Sequence, residues 1–219
     1  MTAAASADLA GLETLALRER LTVQGVLNAR PEDGIGAGAL ALLGPAEPGY
    51  WAHVTDSPEF RDGNSDPIDR WSRRVITALA RDLGGDAYFP FGDPVRPFFS
   101  WALRSGRAWQ SPVMLLVHDE AGLMVSYRGA ILLPGQCDPE ATRPRPCDSC
   151  TDKPCLTACP ARALTGDGYD VSACHAYLDT VPGRTNLSKG CAVRRACPVS
   201  QKYGRSEEQS AFHMKHFHP

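Results

Sequence analysis

Seven of the eight cysteines in this 219-residue chain lie between positions 147 and 197. They are Cys147, Cys150, Cys155, Cys159, Cys174, Cys191 and Cys197. The first four are spaced C-x2-C-x4-C-x3-C-P, and the last of the seven is again followed by a proline. Thiols this dense must bind metal, pair as disulfides or be buried. They therefore restrict the fold more than any other feature of the sequence.

A cysteine run that ends in Cys-Pro and is followed downstream by a second Cys-Pro resembles bacterial [4Fe–4S] ferredoxins. Three closely spaced thiolates can cap only one face of a cluster, so the fourth ligand comes from the distant Cys-Pro. On this pattern the ligands of a first [4Fe–4S] cluster are Cys147, Cys150, Cys155 and Cys197. The sequence therefore predicts an electron-transfer protein.

A second cluster is less complete. Its candidate ligands are Cys159, Cys174 and Cys191. Arg194 and Arg195 occupy the region where the ferredoxin pattern has a further cysteine. Cys137 is a spare thiolate, although a lone cysteine is equally often a small buried residue. His175 follows Cys174 directly, and adjacent side chains on a helix diverge by about 100°.

Zinc and disulfides are the competing interpretations of the thiols. Cys147, Cys150 and two later cysteines could bind zinc, but zinc knuckles rarely carry a Cys-x3-Cys-Pro run. Disulfide frameworks are typical of small secreted chains. Asp8 and Glu13 fall where a signal peptide has its apolar core, so we expect no export. The sequence favours an iron–sulfur protein of the reducing cytoplasm.

Charge and motifs exclude several function classes. The formal net charge of −2 gives no electrostatic reason to expect nucleic-acid binding. No uncharged apolar stretch approaches the ~18 residues that span a bilayer, so we expect no membrane partner. Glycine-rich phosphate-binding motifs and the Gly-x-Ser-x-Gly hydrolase motif are absent from the sequence.

Hydrophobic periodicity predicts an α+β fold. We expect one amphipathic helix over the first thirty or so residues, and a second from Pro67 to a Gly84-Gly85 stop. A helix containing Cys174 follows a hairpin near 164–169, and Ser206 starts a C-terminal helix. Strands are predicted at 36–44, 87–91, 113–118, 121–127 and 130–133.

We divide the chain into three parts. We expect residues 1–136 to form an α/β body and residues 137–205 to form the iron–sulfur module. Residues 206–219 form a helix that returns to the body. The boundary between body and module lies in the proline-rich linker 134–146.

Three stretches of the chain resemble the cobalamin-processing family that includes the cyanocobalamin decyanase and trafficking chaperone. They are Asp66-Pro67-Ile68-Asp69, the segment from Gly122 to Gly135 that contains Arg128-Gly129, and Ser206 to Phe212. The resemblance implies a nitroreductase-like α/β body that binds a corrinoid, with a flavin as the weaker candidate. It also implies that Arg128 lines the ligand pocket.

The cysteine region resembles the ferredoxin module of epoxyqueuosine reductases and reductive dehalogenases, where such a module accompanies a cobalamin domain. Cys174-His-Ala-Tyr177-Leu178 resembles a Cys-x-x-Tyr-Leu segment of those proteins. Their Gly-Leu-Gly-Trp segment is replaced by Ser105-Gly106-Arg-Ala-Trp109, so the same tRNA substrate is not implied.

Together the resemblances imply a ferredoxin-like iron–sulfur module inserted in a nitroreductase-like body. Such a protein would take electrons from a redox partner protein and reduce or process a bound corrinoid, as a [4Fe–4S]-dependent oxidoreductase. Two alternatives remain open. One is a plain ferredoxin-type electron carrier, and the other is a corrinoid chaperone that senses redox state without catalysis.

Overall fold

The computed structural model describes residues 6–138 and 143–219 and has a mixed α+β fold. The helices are α1 (Leu9–Arg18), α2 (Tyr50–Thr55), α3 (Pro58–Arg61), α4 (Pro67–Asp82), α5 (Phe98–Arg104), α6 (Val171–Leu178), α7 (Arg184–Lys189), α8 (Ala192–Ala196), α9 (Pro198–Lys202) and α10 (Glu207–Phe217). The strands are β1 (Leu21–Asn28), β2 (Ala39–Pro45), β3 (Asp86–Tyr88), β4 (Ala108–Gln110), β5 (Leu116–His118), β6 (Gly129–Leu133), β7 (Leu164–Thr165) and β8 (Gly168–Tyr169). Two 3-10 helices span Pro31–Asp33 and Pro154–Leu156. None of the described helices is long and apolar enough to cross a bilayer.

The chain forms two compact units. The first comprises Met1–Arg107 and Ser126–Thr142, and the second comprises Ala108–Val125 and Arg143–Pro219. The second unit thus includes β4, β5 and the C-terminal helix α10 together with the cysteine region. Part of the predicted linker 134–146 lies outside the described residues.

The first unit is built on a four-stranded antiparallel sheet with the strand order β1-β2-β6-β3. Every residue of the two central strands, β2 and β6, is buried. The predicted helix from Pro67 is confirmed as α4, and its Trp71, Val75 and Ile76 belong to the same core as the sheet. Each such side chain stabilises the fold by about 1.5–3 kcal/mol when fully buried. The apolar stripe therefore decides where α4 packs.

The predicted thirty-residue helix is wrong in its second half. Helix α1 ends at Arg18, and the chain then enters strand β1, which pairs with β2. Pairing buries apolar residues on both faces of β1, so their spacing carries no clean strand period. The register also shifts at Gly25, which has φ +151°. A Cβ at this position would lie 2.5 Å from Ser105 Oγ.

The predicted strand at 121–127 is also wrong, because this segment is irregular. The strand predicted at 113–118 is confirmed only for β5, which pairs with β4. The strand predicted at 130–133 is confirmed as β6, between β2 and β3. The strands β5 and β6, which the sequence predicts to be adjacent, therefore pair with different strands: β5 with β4, and β6 with β2 and β3.

A buried carboxylate, Asp33, connects the first 3-10 helix to α5. It accepts hydrogen bonds from Trp101 Nε1 at 2.8 Å and from Arg104 at 2.6 Å. The backbone N–H of Arg30 donates a third at 2.8 Å. Burial alone raises the pKa of Asp33, but the hydrogen bonds outweigh it and hold this pKa below its ordinary value.

We expect Asp33→Asn to lower the free energy of unfolding by about 2–3 kcal/mol near neutral pH, because charge-assisted hydrogen bonds are lost. The folded-state pKa of Asp33 is depressed, so its stabilisation is present above the unfolded-state pKa of about 3.9. It is lost as the pH falls through the folded-state value. Urea unfolding of wild type and variant at neutral and acid pH measures the difference, which should shrink in acid.

Glu32→Gln is the matched control, since Glu32 is the acidic residue next to Asp33 and its side chain is 65% exposed. We expect it to change the unfolding free energy by no more than about 0.5 kcal/mol. Equal losses in the two variants would contradict the role given to Asp33.

Candidate metal centre

The first group of thiols belongs to Cys147, Cys150, Cys155 and Cys197. Cys155 lies in the 3-10 helix that begins at Pro154, and Cys197 caps the start of α9, which begins at Pro198. Proline suits a first helical position because its φ is already helical and its missing N–H is not needed there. Each of these two prolines therefore fixes the backbone that carries a neighbouring thiol.

All four residues of the first group line one cavity of about 430 Å³. Pro112, Val117 and Leu123 form part of its wall. The volume is many times the ~30 Å³ that one water molecule occupies in the liquid. The cavity therefore has room for a group of several atoms.

Burial governs the chemistry of these thiols. Cys155 is 8% exposed and Cys197 is 9% exposed. Burial raises the pKa of Cys147 and of Cys155, and negative charge on other cysteines of the group raises both further. The metal-free Cys147 and Cys155 thiols therefore hold their protons more firmly, and metal binding, which needs thiolates, would release them.

Two buried donors beside the first group lack acceptors. Arg145 opposes the effect of burial on the pKa of Cys147, and one of its N–H groups donates to the Gln110 carbonyl. Its Nε is buried and has no hydrogen-bond partner among the described residues; the same is true of the Ser111 hydroxyl, which lines the cavity. Buried donors without acceptors cost free energy. An anionic cluster would supply acceptors, so these residues fit one.

The second group of thiols belongs to Cys159, Cys174 and Cys191. Three separate segments bring them together: Cys159 follows the second 3-10 helix, Cys174 lies in α6, and Cys191 caps α8. The Ala163 N–H donates to the Cys159 sulfur at 3.2 Å. Burial raises the pKa of Cys174, and negative charge at the other two cysteines raises it further, as expected for neighbouring thiols.

Tyr169 and Arg194 adjoin the second group. Burial raises the pKa of Tyr169, and so does its hydrogen bond to Cys174. Burial lowers the pKa of the Arg194 guanidinium, whereas negative charge at Cys191 acts in the opposite direction. A negatively charged centre held by these thiols would therefore stabilise the charged form of Arg194.

The C-terminal end of helix α10 contacts helix α6, which contains Cys174, and the strand β8 that precedes it. The Phe217 ring stacks on His175 with centroids 4.6 Å apart, and on Tyr169 with centroids 6.2 Å apart. His218 Nδ1 lies 2.6 Å from His175 Nδ1, and His218 Nε2 lies 3.0 Å from Asp179. The His175 ring thus contacts Phe217 and His218. This is expected for a side chain that points away from its neighbour Cys174 on the helix.

The backbone of Leu123 attaches the irregular segment 121–125 to the cysteine region. Its N–H donates to Ser200 Oγ at 2.8 Å, and its carbonyl accepts a hydrogen bond from Arg194. Gly122 has φ +58°, and a Cβ there would lie 2.5 Å from the Ser200 backbone nitrogen. Position 122 therefore requires glycine for both its conformation and its space.

The predicted corrinoid contact, Arg128, lies in the first unit. Its guanidinium is 3.7 Å from Asp69, its Nε donates to the Tyr127 carbonyl, and its side chain is 14% exposed. A cavity of about 390 Å³ in this unit is lined by other residues, among them His53 and Arg74. The described contacts of Arg128 are thus with protein, and its role towards a corrinoid stays a prediction.

Cys137 also belongs to the first unit. Its N–H donates to Asn28 Oδ1 at 3.0 Å, its thiol donates to the same oxygen at 3.3 Å, and its carbonyl accepts from Asn28 Nδ2 at 2.9 Å. It packs against the apolar core of this unit. These contacts are typical of a structural thiol.

In the part of the chain that the structure describes, no three His, Cys, Asp or Glu side chains are placed to hold one metal ion. A zinc site needs its ligands about 2.0–2.3 Å from a single ion. The cysteines of a [4Fe–4S] cluster each bind a different iron, so their sulfurs need not converge on one point.

Comparison with known proteins assigns no family to the chain. No family model, no curated protein and no solved structure matches it.

Sequence patterns did not identify Arg145, Ser111 and Tyr169 as neighbours of the thiols. Arg145 offered a signal, because it lies two residues before Cys147 with a proline between them, and alternate residues of an extended chain share a side. Tyr169 ends the hairpin that leads into the helix of Cys174. Ser111 offered none, since it is remote in sequence from every cysteine.

We expect Gly122→Ala to destabilise the second unit by about 2–4 kcal/mol, because it adds a clash with the Ser200 backbone to the strain of a positive φ. Denaturant unfolding monitored by tryptophan fluorescence measures the loss. Gly84→Ala is the control, since Gly84 has a similar φ of +67° and a Cβ there would have no other atom within 4 Å. A loss no larger than that of the control would show that position 122 is not crowded.

Proposed function

We propose that this chain is an iron–sulfur electron-transfer protein whose second unit holds a [4Fe–4S] cluster. The ligands would be Cys147, Cys150, Cys155 and Cys197. The observation that carries the proposal is that the three closely spaced cysteines and the distant Cys197 line one cavity of about 430 Å³. The buried Ser111 hydroxyl, which lines that cavity and has no hydrogen-bond partner among the described residues, supports an occupant that can accept a hydrogen bond.

A bound cluster of this type supplies one-electron transfer. The residues of the chain set the conditions for it. Val117 and Leu123 make part of the cavity wall apolar, and Cys155 and Cys197 are buried. Arg145 places positive charge beside Cys147. Low solvent access disfavours the extra negative charge of a reduced cluster, whereas a nearby cation and hydrogen bonds to the sulfurs favour it.

The finer proposal follows the sequence resemblances. The first unit would be a nitroreductase-like body, the cysteine region a ferredoxin-like module inserted in it, and the electron acceptor a corrinoid bound near Arg128. Electrons would come from a redox partner protein in the cytoplasm, whose reducing conditions keep thiols free. A plain electron carrier would use the same thiols but would bind no corrinoid. A redox-sensing corrinoid chaperone would use them and bind the corrinoid without reducing it.

Cys155→Ala should lower the iron content of anaerobically purified protein by about four atoms per chain, because one cluster ligand is lost. Iron and acid-labile sulfide analysis, with low-temperature EPR of the reduced protein, measures this directly. Cys137→Ala is the control and should retain all the iron, since Cys137 is engaged with Asn28. Equal iron in wild type and Cys155→Ala would contradict the ligand assignment, and so would stoichiometric zinc in place of iron.

Arg145→Gln should lower the midpoint potential of the first cluster, because the reduced form carries the extra negative charge that the cation stabilises. The expected change is on the order of 59 mV, a tenfold change in a one-electron equilibrium. An EPR-monitored redox titration measures it. Arg143→Gln removes the same charge from a side chain that already pairs with Asp119 and Glu120, and should change the potential little. Equal shifts would show that Arg145 has no special position.

Hydroxocobalamin separates the acceptor proposals. We expect its visible spectrum to shift on binding, and the cobalt to be reduced when the protein is first reduced and freed of dithionite. Arg128→Gln should weaken binding about tenfold, as expected for loss of one charge-assisted contact. Binding without reduction would instead indicate the chaperone. No spectral change at stoichiometric corrinoid would leave the plain carrier and contradict both corrinoid proposals.

A further inference from the structure

Two lysines from separate segments line the cavity of the first thiol group. Lys153 comes just before the 3-10 helix that contains Cys155, and Lys202 is the last residue of α9. Both lysines are exposed, and neither forms an ion pair with another described residue. Asp152 is the one acidic residue among those that line the cavity. Positive charges therefore outnumber negative charges around it.

Lys153 belongs to the part of the cysteine run that departs from the ferredoxin spacing. Four residues, Thr151 to Pro154, separate Cys150 from Cys155, where the ferredoxin pattern has two. All four of these residues line the cavity. The first three of them are exposed, so they lie where the cavity opens to solvent. The longer gap therefore adds polar and charged residues to the cavity opening.

The backbone of Lys153 is in the left-handed region, with φ +39° and ψ +56°. This conformation is costly for a residue with a Cβ, and the proline that follows restricts the backbone further. Glycine or asparagine would adopt it with less strain. Strained backbone is concentrated at functional sites, where the surroundings hold it in place. A lysine at this position therefore indicates a use for its side chain.

The local charge at the cavity opening is opposite in sign to the charge of the whole chain. The formal net charge of the chain is −2. Exposed charges farther apart than about 8 Å are largely screened at physiological ionic strength. A partner in contact with the opening is therefore influenced mainly by the nearby lysines, and a negatively charged partner is attracted there.

We infer that the opening of this cavity is the docking surface for an acidic electron-transfer protein, whose carboxylates face Lys153 and Lys202. The inference rests on the proposed function, because it describes the partner from which the first cluster takes its electron. One electron passes from the reduced partner to the cluster, and no bond forms or breaks. Leu156, next to Cys155, is 46% exposed and supplies an apolar contact beside the charged residues.

The probe is an acidic flavodoxin, mixed with anaerobically purified full-length protein. In its fully reduced form it passes one electron to the cluster, and stopped-flow absorbance measures the second-order rate constant. We expect this rate constant to fall about tenfold as the ionic strength rises from about 0.02 M to about 0.3 M, because salt screens the attraction. The net charge of the chain alone predicts the opposite, a rate constant that rises with salt.

The double variant Lys153→Gln/Lys202→Gln should lower the rate constant at low salt about tenfold and remove most of its salt dependence. It should weaken the binding of oxidised flavodoxin by a similar factor, which titration calorimetry measures without electron transfer. Lys189→Gln/Lys215→Gln is the matched control, since it removes the same charge from residues that do not line the cavity. It should change both quantities by no more than about twofold.

The outcomes separate this inference from the proposed function. An iron- and sulfide-containing chain whose rate constant rises with salt would overturn the docking surface and leave the cluster assignment intact. Equal effects of the two double variants on flavodoxin binding would do the same, because the lysines of the cavity would then have no special position. A chain without iron or sulfide would contradict the proposed function itself.

Discussion

The double attachment of the Leu123 backbone is the interaction on which the arrangement of the second unit depends. The Leu123 N–H donates a hydrogen bond to Ser200 Oγ, and the Leu123 carbonyl accepts one from Arg194. These two side chains lie three residues on either side of Cys197. Because both reach the same residue of the cavity wall, the Cys197 thiol is fixed relative to that wall. A single hydrogen bond would leave the segment free to pivot.

Local sequence signals were sufficient where one segment decides its own structure. Pro67 at a helix start, an apolar stripe and a glycine pair at the end predicted α4. Likewise Ser206 accepts a hydrogen bond from the Gln209 N–H and starts α10 as its sequence indicates. Segments 21–28 and 121–125 could not be predicted in this way, because strand pairing determines the first and distant side chains determine the second.

In the candidate site, too, local sequence predicts one part and distant contacts determine the other. Cysteine spacing selected the residues that line one cavity, since short loops restrict where neighbouring thiols point. The Ser111 donor was beyond prediction, because it comes from the β4–β5 hairpin, which is remote in sequence from every cysteine. Sequence spacing thus specifies the thiols, whereas the fold supplies their electrostatic surroundings.

The two thiol groups are interleaved along the chain. Cys155 and Cys197 are 42 positions apart (197 − 155), and all three thiols of the second group lie between them. A group that bridges Cys155 and Cys197 closes this loop, which removes about 4 kcal/mol of chain entropy from the unfolded state. Bridging the inner thiols shortens the same loop. Within the unfolded chain, closing one of these loops therefore lowers the entropic cost of closing the other.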